Sequence, residues 1–153
     1  MPRIDLDAIT PVNSTGYPAP FDAPVAGRWQ RRLGALAGLT DLGANLVTLD
    51  PGAWSSQRHW HRGEDEFLVM LSGEAVLIED EGETILHPGD CVAWAKGVEN
   101  GHHLINRSER DCSFLCFSAG DNKAGGAYPD IDMIWTEHGY HHRDGTPYPV
   151  RPR

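Results

Sequence analysis

The feature of this sequence that most constrains its fold is a series of short apolar or alternating stretches separated by turn residues. Combinations of Pro, Gly and Asp, such as Asp50-Pro51-Gly52 and His87-Pro88-Gly89-Asp90, favour tight turns between them. Short strands at spacings near ten residues indicate an all-β antiparallel sandwich or barrel. The nine predicted strands are 29–36, 44–49, 56–61, 66–72, 74–79, 83–87, 91–94, 102–106 and 112–118.

The segments that flank these strands differ from them in composition. Residues 1–27 are rich in Pro, Ala and Asp without a helical period, and they predict an extended N-terminal arm. Such an arm packs across its own sheet or pairs with a second subunit. Residues 28–135 are predicted to form the barrel, including one further strand within 130–135, and residues 136–153 a polar C-terminal tail.

Charge and hydropathy exclude some classes of partner. The chain has 13 basic and 22 acidic residues, and its net charge of −9 opposes binding to nucleic acid or to an anionic membrane. No apolar run approaches the roughly 20 residues of a membrane span, and the N-terminus lacks the apolar stretch of a signal peptide. We therefore expect a cytoplasmic protein with neither nucleic-acid nor membrane partners.

The three cysteines show no metal-binding or redox spacing. Cys91, Cys112 and Cys116 are odd in number, contain no CxxC pair and have apolar or aromatic neighbours. They are predicted to be buried reduced thiols, and not disulfide partners or zinc ligands.

A pair of histidines begins the pattern that carries the chemistry. His59 and His61 would project from the same face of a strand, because side-chain direction alternates along it. Glu66 follows at the start of the next predicted strand and shares a face with Leu68 and Met70. Its carboxylate is therefore expected to point back at the two imidazoles.

This compound pattern is rare by composition. A chain with 8 His in 153 residues is expected to contain about 0.4 His-x-His pairs. Requiring Glu66 and Gly73 at their fixed offsets lowers the expectation to about 0.003. The neighbouring Glu64 and Asp65 are expected to belong to the loop before the strand.

Together these residues resemble the two sequence motifs of the cupin superfamily. The first motif is Gly52-x6-His59-x-His61-x4-Glu66-x6-Gly73, and the second is Gly82-x5-Pro88-Gly89-Asp90, followed by Gly97 and His102-x3-Asn106. The chain departs from the usual motifs in two places. Six residues and not five separate Gly52 from His59, and Ala95-Lys96-Gly97 stands where Pro-x-Gly is common. The stretches 32–39, 128–132 and 142–148 resemble a branch of small single-domain bacterial cupins, some of which are labelled sugar-phosphate isomerases.

The resemblance implies a jelly-roll (double-stranded β-helix) barrel that holds one metal ion. Its ligands would be His59, His61, Glu66 and His102. His103 is an alternative fourth ligand, but His102 keeps the spacing to Asn106. Imidazole and carboxylate donors favour one divalent first-row transition metal ion (Fe, Mn, Ni, Co or Zn) over calcium or magnesium. Two octahedral positions would be open to water or a substrate oxygen.

Several residues outside the ligand set can be explained by a structural role as well as by a functional one. Asn106 is predicted to be structural, and Gly73, Gly82 and Gly89 to be turn residues with positive φ. Surface solvation is the more frequent role of cations near a motif, and aromatic core packing the more frequent role of tryptophan. The cations are Arg58, Arg62 and Lys96, and their functional alternative is to hold an anionic substrate. The tryptophans are Trp54, Trp60 and Trp94, and their functional alternative is to line the mouth of the barrel. His138, His141 and His142 are predicted to be solvated.

Two classes of function fit these residues. The first is a metalloenzyme acting on a small oxygen-rich molecule with the metal as Lewis acid, either an isomerase or epimerase of a sugar-like compound or a dioxygenase. No residue outside the ligand set is identified as a catalytic acid or base. The alternative is a non-catalytic cupin that binds or senses a small ligand, and the barrel scaffold itself does not decide. A homodimer is expected, because an arm and sheet edges invite strand pairing.

Overall fold

A computed structural model of the chain describes residues 3–149, in which strands dominate. The described part contains twelve β-strands, one short α-helix, α1 (Leu33–Leu36), and three single turns of 3-10 helix, Leu6–Ala8, Ala23–Val25 and Asn122–Ala124. None of its helices is both long and apolar enough to cross a membrane. The strands are β1 (Arg28–Arg32), β2 (Leu42–Leu49), β3 (Trp60–His61), β4 (Glu64–Ser72), β5 (Ala75–Glu79), β6 (Gly82–Leu86), β7 (Cys91–Trp94), β8 (His103–Ile105), β9 (Cys112–Gly120), β10 (Gly126–Tyr128), β11 (Met133–Thr136) and β12 (Gly139–His141).

The strands form three antiparallel sheets. The largest has the order β1-β2-β9-β4-β7, the second β12-β11-β10-β3 and the third β6-β5-β8. Neighbouring strands are often far apart in the chain, as where β9 lies between β2 and β4. The predicted all-β jelly-roll architecture is confirmed, and it brings distant chain segments face to face.

The main core lies behind the inner face of the five-stranded sheet. Alternation along β2, β4 and β9 turns Leu49, Met70 and Phe114 inward, and their side chains are almost completely buried. Leu77 and Leu104 pack into the same cluster from the three-stranded sheet. Burying each such side chain contributes about 1.5–3 kcal/mol, so this cluster fixes the sheet from which the site residues project.

The N-terminal arm packs against its own barrel. Val12 pairs with Gln30 of β1 through backbone hydrogen bonds of 3.0 and 2.8 Å. Tyr17 is 5% exposed and belongs to a second core cluster with Val25 and Met133. The sequence left two arrangements of the arm open, packing across its own sheet or pairing with a second subunit. This structure shows the first.

The end of the chain contains more strand than its composition predicts. β11 matches the extra strand expected within 130–135, whereas β10 and β12 were not predicted. β12 lies in the segment expected to be a tail, and Tyr140 within it packs against the second core cluster. Strands of three residues are too short to show an alternating pattern. The predicted domain boundaries, 1–27, 28–135 and 136–153, stay a prediction.

Several strand boundaries differ from prediction. The first strand ends at Arg32, where the chain turns into α1 and Gly34 approaches the backbone of Ala44. Within 56–61 only β3 is a regular strand, although His59 forms an isolated bridge. The loop assignment of Glu64 and Asp65 was wrong, because both belong to β4.

One cysteine also differs from prediction. Cys112 is buried and Cys116 is partly exposed, but Cys91 is exposed. It lies opposite Val69 in the pairing of β7 with β4, on the outer face of the five-stranded sheet. Apolar neighbours in sequence did not distinguish the two faces of that strand. All three cysteines are free thiols, as predicted.

Candidate metal centre

The candidate site is assembled by backbone pairing between segments distant in sequence. His59 and His102 form an isolated β-bridge whose two backbone hydrogen bonds measure 3.2 and 2.9 Å. His61 follows in β3, and Glu66 lies on the inner face of β4. These pairings bring all four predicted ligand side chains to one place inside the barrel.

The distances between ligand atoms fit a single ion. His59 Nε2 lies 3.1 Å from His61 Nε2, which lies 3.3 Å from Glu66 Oε2. His102 Nε2 lies 2.7 Å from the same carboxylate oxygen. Metal–ligand bonds near 2.1 Å place adjacent ligand atoms of an octahedron about 3.0 Å apart, so the observed spacing fits such a centre.

The fourth predicted ligand, His102, lies less close to the other three than they lie to one another. The ligand atoms of His59, His61 and Glu66 all lie within 4.8 Å of one another, and His102 joins them through Glu66. His103 faces elsewhere, with Nδ1 2.9 Å from the Ser56 carbonyl oxygen. Of the two adjacent histidines, only His102 lies against the carboxylate.

Two histidines are oriented through their second ring nitrogen. His59 Nδ1 lies 2.9 Å from the Gln57 carbonyl oxygen and 3.2 Å from Ser56 Oγ. His102 Nδ1 lies 3.3 Å from the Asn100 carbonyl oxygen. Donation from Nδ1–H to a carbonyl leaves the Nε2 lone pair free, which is the tautomer that a metal requires.

Glu64 is a site residue that sequence reasoning missed. Its Oε2 lies 3.0 Å from His61 Nδ1, close enough to pair charges although not aligned as a hydrogen bond. It shares the inner face of β4 with Glu66, two residues further on. The alternation that identified Glu66 would have found Glu64 if the strand had been extended by one step.

The environment of the site shifts the pKa values of its residues in different directions. Burial lowers the pKa of His59 to about 3. Burial also acts to lower the pKa of His61, but contacts with Glu64 and Glu66 outweigh it and raise that pKa to about 9. Burial alone would raise the pKa of Glu66, yet His102 and His61 hold it well below its usual range. A neutral His59 beside an anionic Glu66 is a donor set suited to a cation.

Trp94 holds the ring of His102 in place. The two rings stack with centroids 3.9 Å apart and planes within 8°. The indole Nε1–H donates to Glu79 Oε1 at 2.7 Å, and Asn100 Nδ2 donates to the same oxygen at 3.1 Å. Trp94 therefore supports the site and does not only fill the core. Trp54 packs edge-on to His103, and Trp60 is buried.

An aromatic wall covers the other side of the histidines. Trp135 lies with its ring centroid 4.9 Å from that of His61 and 5.6 Å from that of His59. Tyr128 stacks on His59 at 5.8 Å. Gly126 leaves the room for Trp135, since a Cβ there would overlap the indole ring. Neither aromatic residue was singled out from the sequence.

The charged residues that flank the motifs are engaged elsewhere. Arg58 forms ion pairs with Asp80 and Asp130, which neutralise its charge. Arg62 lies 5.4 Å from the centre of the Trp60 ring. Lys96 is exposed. A bound anion would therefore compete with two carboxylates for Arg58.

The C-terminal histidines do not form a second centre. His138 is largely exposed, and His142 pairs with Asp132 at 2.8 Å. His141 Nδ1 lies 3.0 Å from the Gly139 carbonyl oxygen. Among residues 3–149 the only group with metal-ligand spacing is the one that contains His59, His61 and Glu66.

The structural roles predicted for Asn106 and the turn glycines are confirmed. Asn106 is fully buried, and its Nδ2 donates to the carbonyl oxygens of Leu49 and Arg110. The φ angles of Gly73, Gly82 and Gly89 are all positive.

Two cavities lie near the five-stranded sheet. A polar cavity of about 220 Å³ opens at the end of the sheet where Asn45, Glu64 and Ser118 line it. Glu64 connects this cavity to His61. A larger groove of about 410 Å³ is mostly apolar and runs along the outer face, where Phe67 and Phe117 are cross-strand neighbours. The polar cavity is the one suited to a hydrophilic ligand.

Comparisons with known proteins agree on the fold. The family model described as "Cupin domain" matches residues 45–118. A sugar phosphate isomerase from a cupin superfamily of Silicibacter pomeroyi is 38% identical, covers 97% of both chains and has a TM-score of 0.91. None of the curated proteins matches.

More distant structures share the fold alone. The polyketide cyclase RemF from Streptomyces resistomycificus is 18% identical with a TM-score of 0.64, over 78% of this chain and 79% of its own. A cupin protein from Bacteroides fragilis is 23% identical with a TM-score of 0.54, over 60% of this chain and 75% of its own. The resemblance to small bacterial cupins is confirmed by the 38% identity over nearly the whole length. The chain therefore belongs to the cupin superfamily.

Proposed function

We propose that the protein is a metal-dependent enzyme that acts on a small oxygen-rich molecule at the centre formed by His59, His61, Glu66 and His102. The observation that carries this proposal is the convergence of three Nε2 atoms and one carboxylate oxygen at spacings of 2.7–3.3 Å. A divalent first-row ion held by these residues supplies a Lewis acid that polarises a carbonyl or hydroxyl oxygen of the substrate.

The remaining residues of the chain prepare the site for a polar substrate. Glu64 orients His61 and also borders the polar cavity. Its carboxylate therefore lies between the metal ligand His61 and the cavity in which a polar substrate would bind. Trp135 and Tyr128 exclude water from the opposite side of the histidines. Water exclusion strengthens the electrostatic interactions within the site.

Among reactions, we favour isomerisation or epimerisation of a sugar-like compound. The 38% identity to a protein named a sugar phosphate isomerase supports this choice. A dioxygenase is the second enzymatic candidate, because two histidines and one carboxylate also form the ligand set of non-haem iron oxygenases.

The experiment that tests the proposal combines metal analysis with activity. Elemental analysis of the purified protein identifies the ion, and isomerisation of sugar phosphates is then measured with and without a chelator. Oxygen consumption with keto-acid and aromatic substrates tests the dioxygenase. We expect metal-dependent turnover in the first assay. Retained metal and ligand binding without turnover in either assay would favour the non-catalytic binding or sensor role.

We further propose that the protein acts in the cytoplasm as a homodimer. Three free thiols and no disulfide among residues 3–149 suit a reducing compartment. The exposed apolar outer face of the five-stranded sheet supports self-association.

A further inference from the structure

Arg32, the last residue of β1, lines the polar cavity at the end of the five-stranded sheet. It lies opposite Asn45 of β2, and the same row continues through Cys116 of β9 to Leu68 of β4. Residues directly opposite each other on paired strands share a face, and Leu68 is buried in the main core. Arg32 and Asn45 therefore lie on the inner face of the sheet, and both line the cavity of about 220 Å³.

A second row of the sheet connects this cavity to the candidate metal centre. Glu66 lies opposite Ser118 of β9, and Ser118 lies opposite Gly43 of β2. A Cβ at Gly43 would lie 2.5 Å from Ser118 Oγ, so the glycine leaves room for this hydroxyl. Ser118, Gly43 and Glu64 all line the cavity. The cavity therefore begins beside the metal ligands and extends across β9 and β2 to Arg32.

The guanidinium of Arg32 has no protein partner in the described part of the chain. Among residues 3–149, no carboxylate forms an ion pair with it and none of its nitrogens donates a hydrogen bond. By contrast, Arg58 is paired with Asp80 and Asp130. Arg32 is also exposed to solvent. Its charge and its donors are therefore available to a ligand in the cavity.

Two carboxylates also line the cavity, Asp41 and Glu64, and both belong to other parts of it. Asp41 precedes β2 by one residue and is separated along the chain from Asn45, the partner of Arg32, by about 14 Å at 3.4 Å per residue. Glu64 lies on β4, three strand spacings from β1, which is also about 14 Å between backbones. The Arg32 end of the cavity therefore has one positive charge beside the amide of Asn45.

The lining of the cavity suits a small polyhydroxy compound. The Ser118 hydroxyl and the Asn45 amide can each donate and accept hydrogen bonds, as sugar hydroxyls do. The volume of about 220 Å³ is below the roughly 300–1,000 Å³ of pockets for drug-sized ligands. A chain of a few carbons with one end at the metal centre can therefore bring its other end to the guanidinium.

We propose that Arg32, together with Asn45, binds the anionic end of a small polyhydroxy compound whose other end lies at the metal centre. The anionic group is a phosphate or a carboxylate, because a guanidinium donates two parallel hydrogen bonds to the oxygens of either group. Ser118 binds a hydroxyl between the two ends. The inference rests on the proposed function for the reacting end, and it names the substrate class and the residue that selects a charged substrate over a neutral one.

The test compares three probes that share a five-carbon skeleton: ribitol 5-phosphate, ribonate and neutral ribitol. Calorimetry measures their binding to the metal-loaded full chain. We expect the wild type to bind one of the anionic probes about tenfold or more tightly than ribitol, because hydrogen bonds between charged groups are the stronger ones. Arg32→Gln is expected to remove this preference and to leave the affinity for ribitol unchanged.

Arg31→Gln is the matched control. Arg31 is the neighbouring arginine of β1, but it lies opposite Leu46 on the outer face. Its Nε donates to the Ile9 carbonyl oxygen at 2.9 Å, so the control removes a charge and an arm contact without changing the lining of the cavity. We expect it to keep the wild-type preference. Circular dichroism and metal content verify that each variant is folded, and Arg32→Met, which keeps the aliphatic stem, replaces Arg32→Gln if the latter does not fold.

The outcomes separate this subsite from the proposed function. Loss of the preference in Arg32→Gln alone supports the subsite, and the preferred probe identifies phosphate or carboxylate. A wild type without preference for either anionic probe, or the same change in both variants, overturns it. Anion binding that depends on Arg32 in a chain that takes up no metal would preserve the subsite and remove the proposed metalloenzyme. Metal-dependent turnover of a neutral sugar at the same rate in Arg32→Gln would preserve the enzyme and remove the subsite.

Discussion

Glu64 illustrates how a residue outside the ligand set can control a metal centre. It contributes no predicted bond to the ion, yet its Oε2 lies 3.0 Å from the Nδ1 of His61. A carboxylate behind a ligating imidazole fixes the ring and increases its basicity. The affinity of the site is therefore expected to depend on a side chain that the motif does not include.

The first prediction concerns this carboxylate. Glu64→Gln is expected to weaken metal binding about 10–100-fold, because the amide keeps the shape but loses the charge that orients His61. Asp65→Asn is the matched control, since Asp65 is adjacent in β4 but points to the outer face. Competition with a chromogenic chelator measures both affinities. Equal affinities of the two variants would contradict the role assigned to Glu64.

The second prediction concerns the ligands themselves. His61→Ala is expected to abolish stoichiometric metal content, because it removes the nitrogen that lies within 3.3 Å of both His59 and Glu66. His138→Ala, which changes a largely exposed histidine, is expected to leave the content unchanged. Elemental analysis after extensive dialysis compares them. Unchanged occupancy in His61→Ala would be incompatible with the proposed centre.

The third prediction concerns thiol reactivity. Only Cys91 is exposed, whereas burial raises the pKa of Cys112 to about 11 and that of Cys116 to about 12. A thiol that stays protonated, and that is buried or only partly exposed, reacts slowly with an alkylating reagent. Mass spectrometry of the native protein, diluted to the monomer before brief treatment with iodoacetamide, should show one modification, at Cys91. Early labelling at Cys112 would show that the core opens more readily than its packing implies.

At the scale of elements, the turn between β4 and β5 sets the position of the strand that carries Glu66. Gly73 occupies this turn with φ +69°. A Cβ at this position would lie 2.7 Å from the Asp111 carbonyl oxygen and 2.8 Å from Cys112 Cβ. The glycine is therefore required both for its backbone conformation and for the close approach of the loop before β9.

The fourth prediction follows from this contact. Gly73→Ala is expected to lower the free energy of unfolding by about 2–4 kcal/mol, because it adds a steric clash to the strain of a positive φ. Gly89→Ala, where φ is +96° and the space is open, is expected to cost about 1 kcal/mol from strain alone. Urea denaturation gives both values. Equal costs would show that the neighbouring loop yields to the added methyl group.

The sequence predicted strands well where apolar and polar residues alternate over a long stretch that is bounded by turn residues. β7 was predicted with its observed bounds, and the inner face of β4 was predicted from the positions of Glu66, Leu68 and Met70. β10 and β12 have three residues each and carry no such pattern, so the aromatic wall was missed.

At the scale of the whole molecule, the outer face of the five-stranded sheet is unusually apolar for an exposed surface. Leu42, Phe67 and Leu71 are each more than 40% exposed, and the groove of about 410 Å³ lies among their neighbours. Contiguous apolar surface of this kind marks association sites. Because two copies with a net charge of −9 repel each other, they would associate best through a face that carries little charge.

The fifth prediction places the expected homodimer on this face. Phe67→Asp is expected to weaken the dimer at least tenfold, because it buries a charge at the contact. Ile85→Asp, at an apolar side chain 56% exposed on β6 of another sheet, is the control. Size-exclusion chromatography with light scattering measures the masses over a range of concentrations. A monomeric wild type, or a dimer that withstands Phe67→Asp but not Ile85→Asp, would remove this face as the interface.

The pairing of β3 with β10 has a consequence for the timing of biosynthesis. His61 lies opposite Gly126, so β3, which carries this histidine, has no strand partner until residues 126–128 have left the ribosome. Trp135 and Tyr140, which complete that sheet, emerge later still. A nascent chain that already exposes both motifs therefore lacks the strand that fixes His61, and we expect tight ion binding only after β10 has been synthesised.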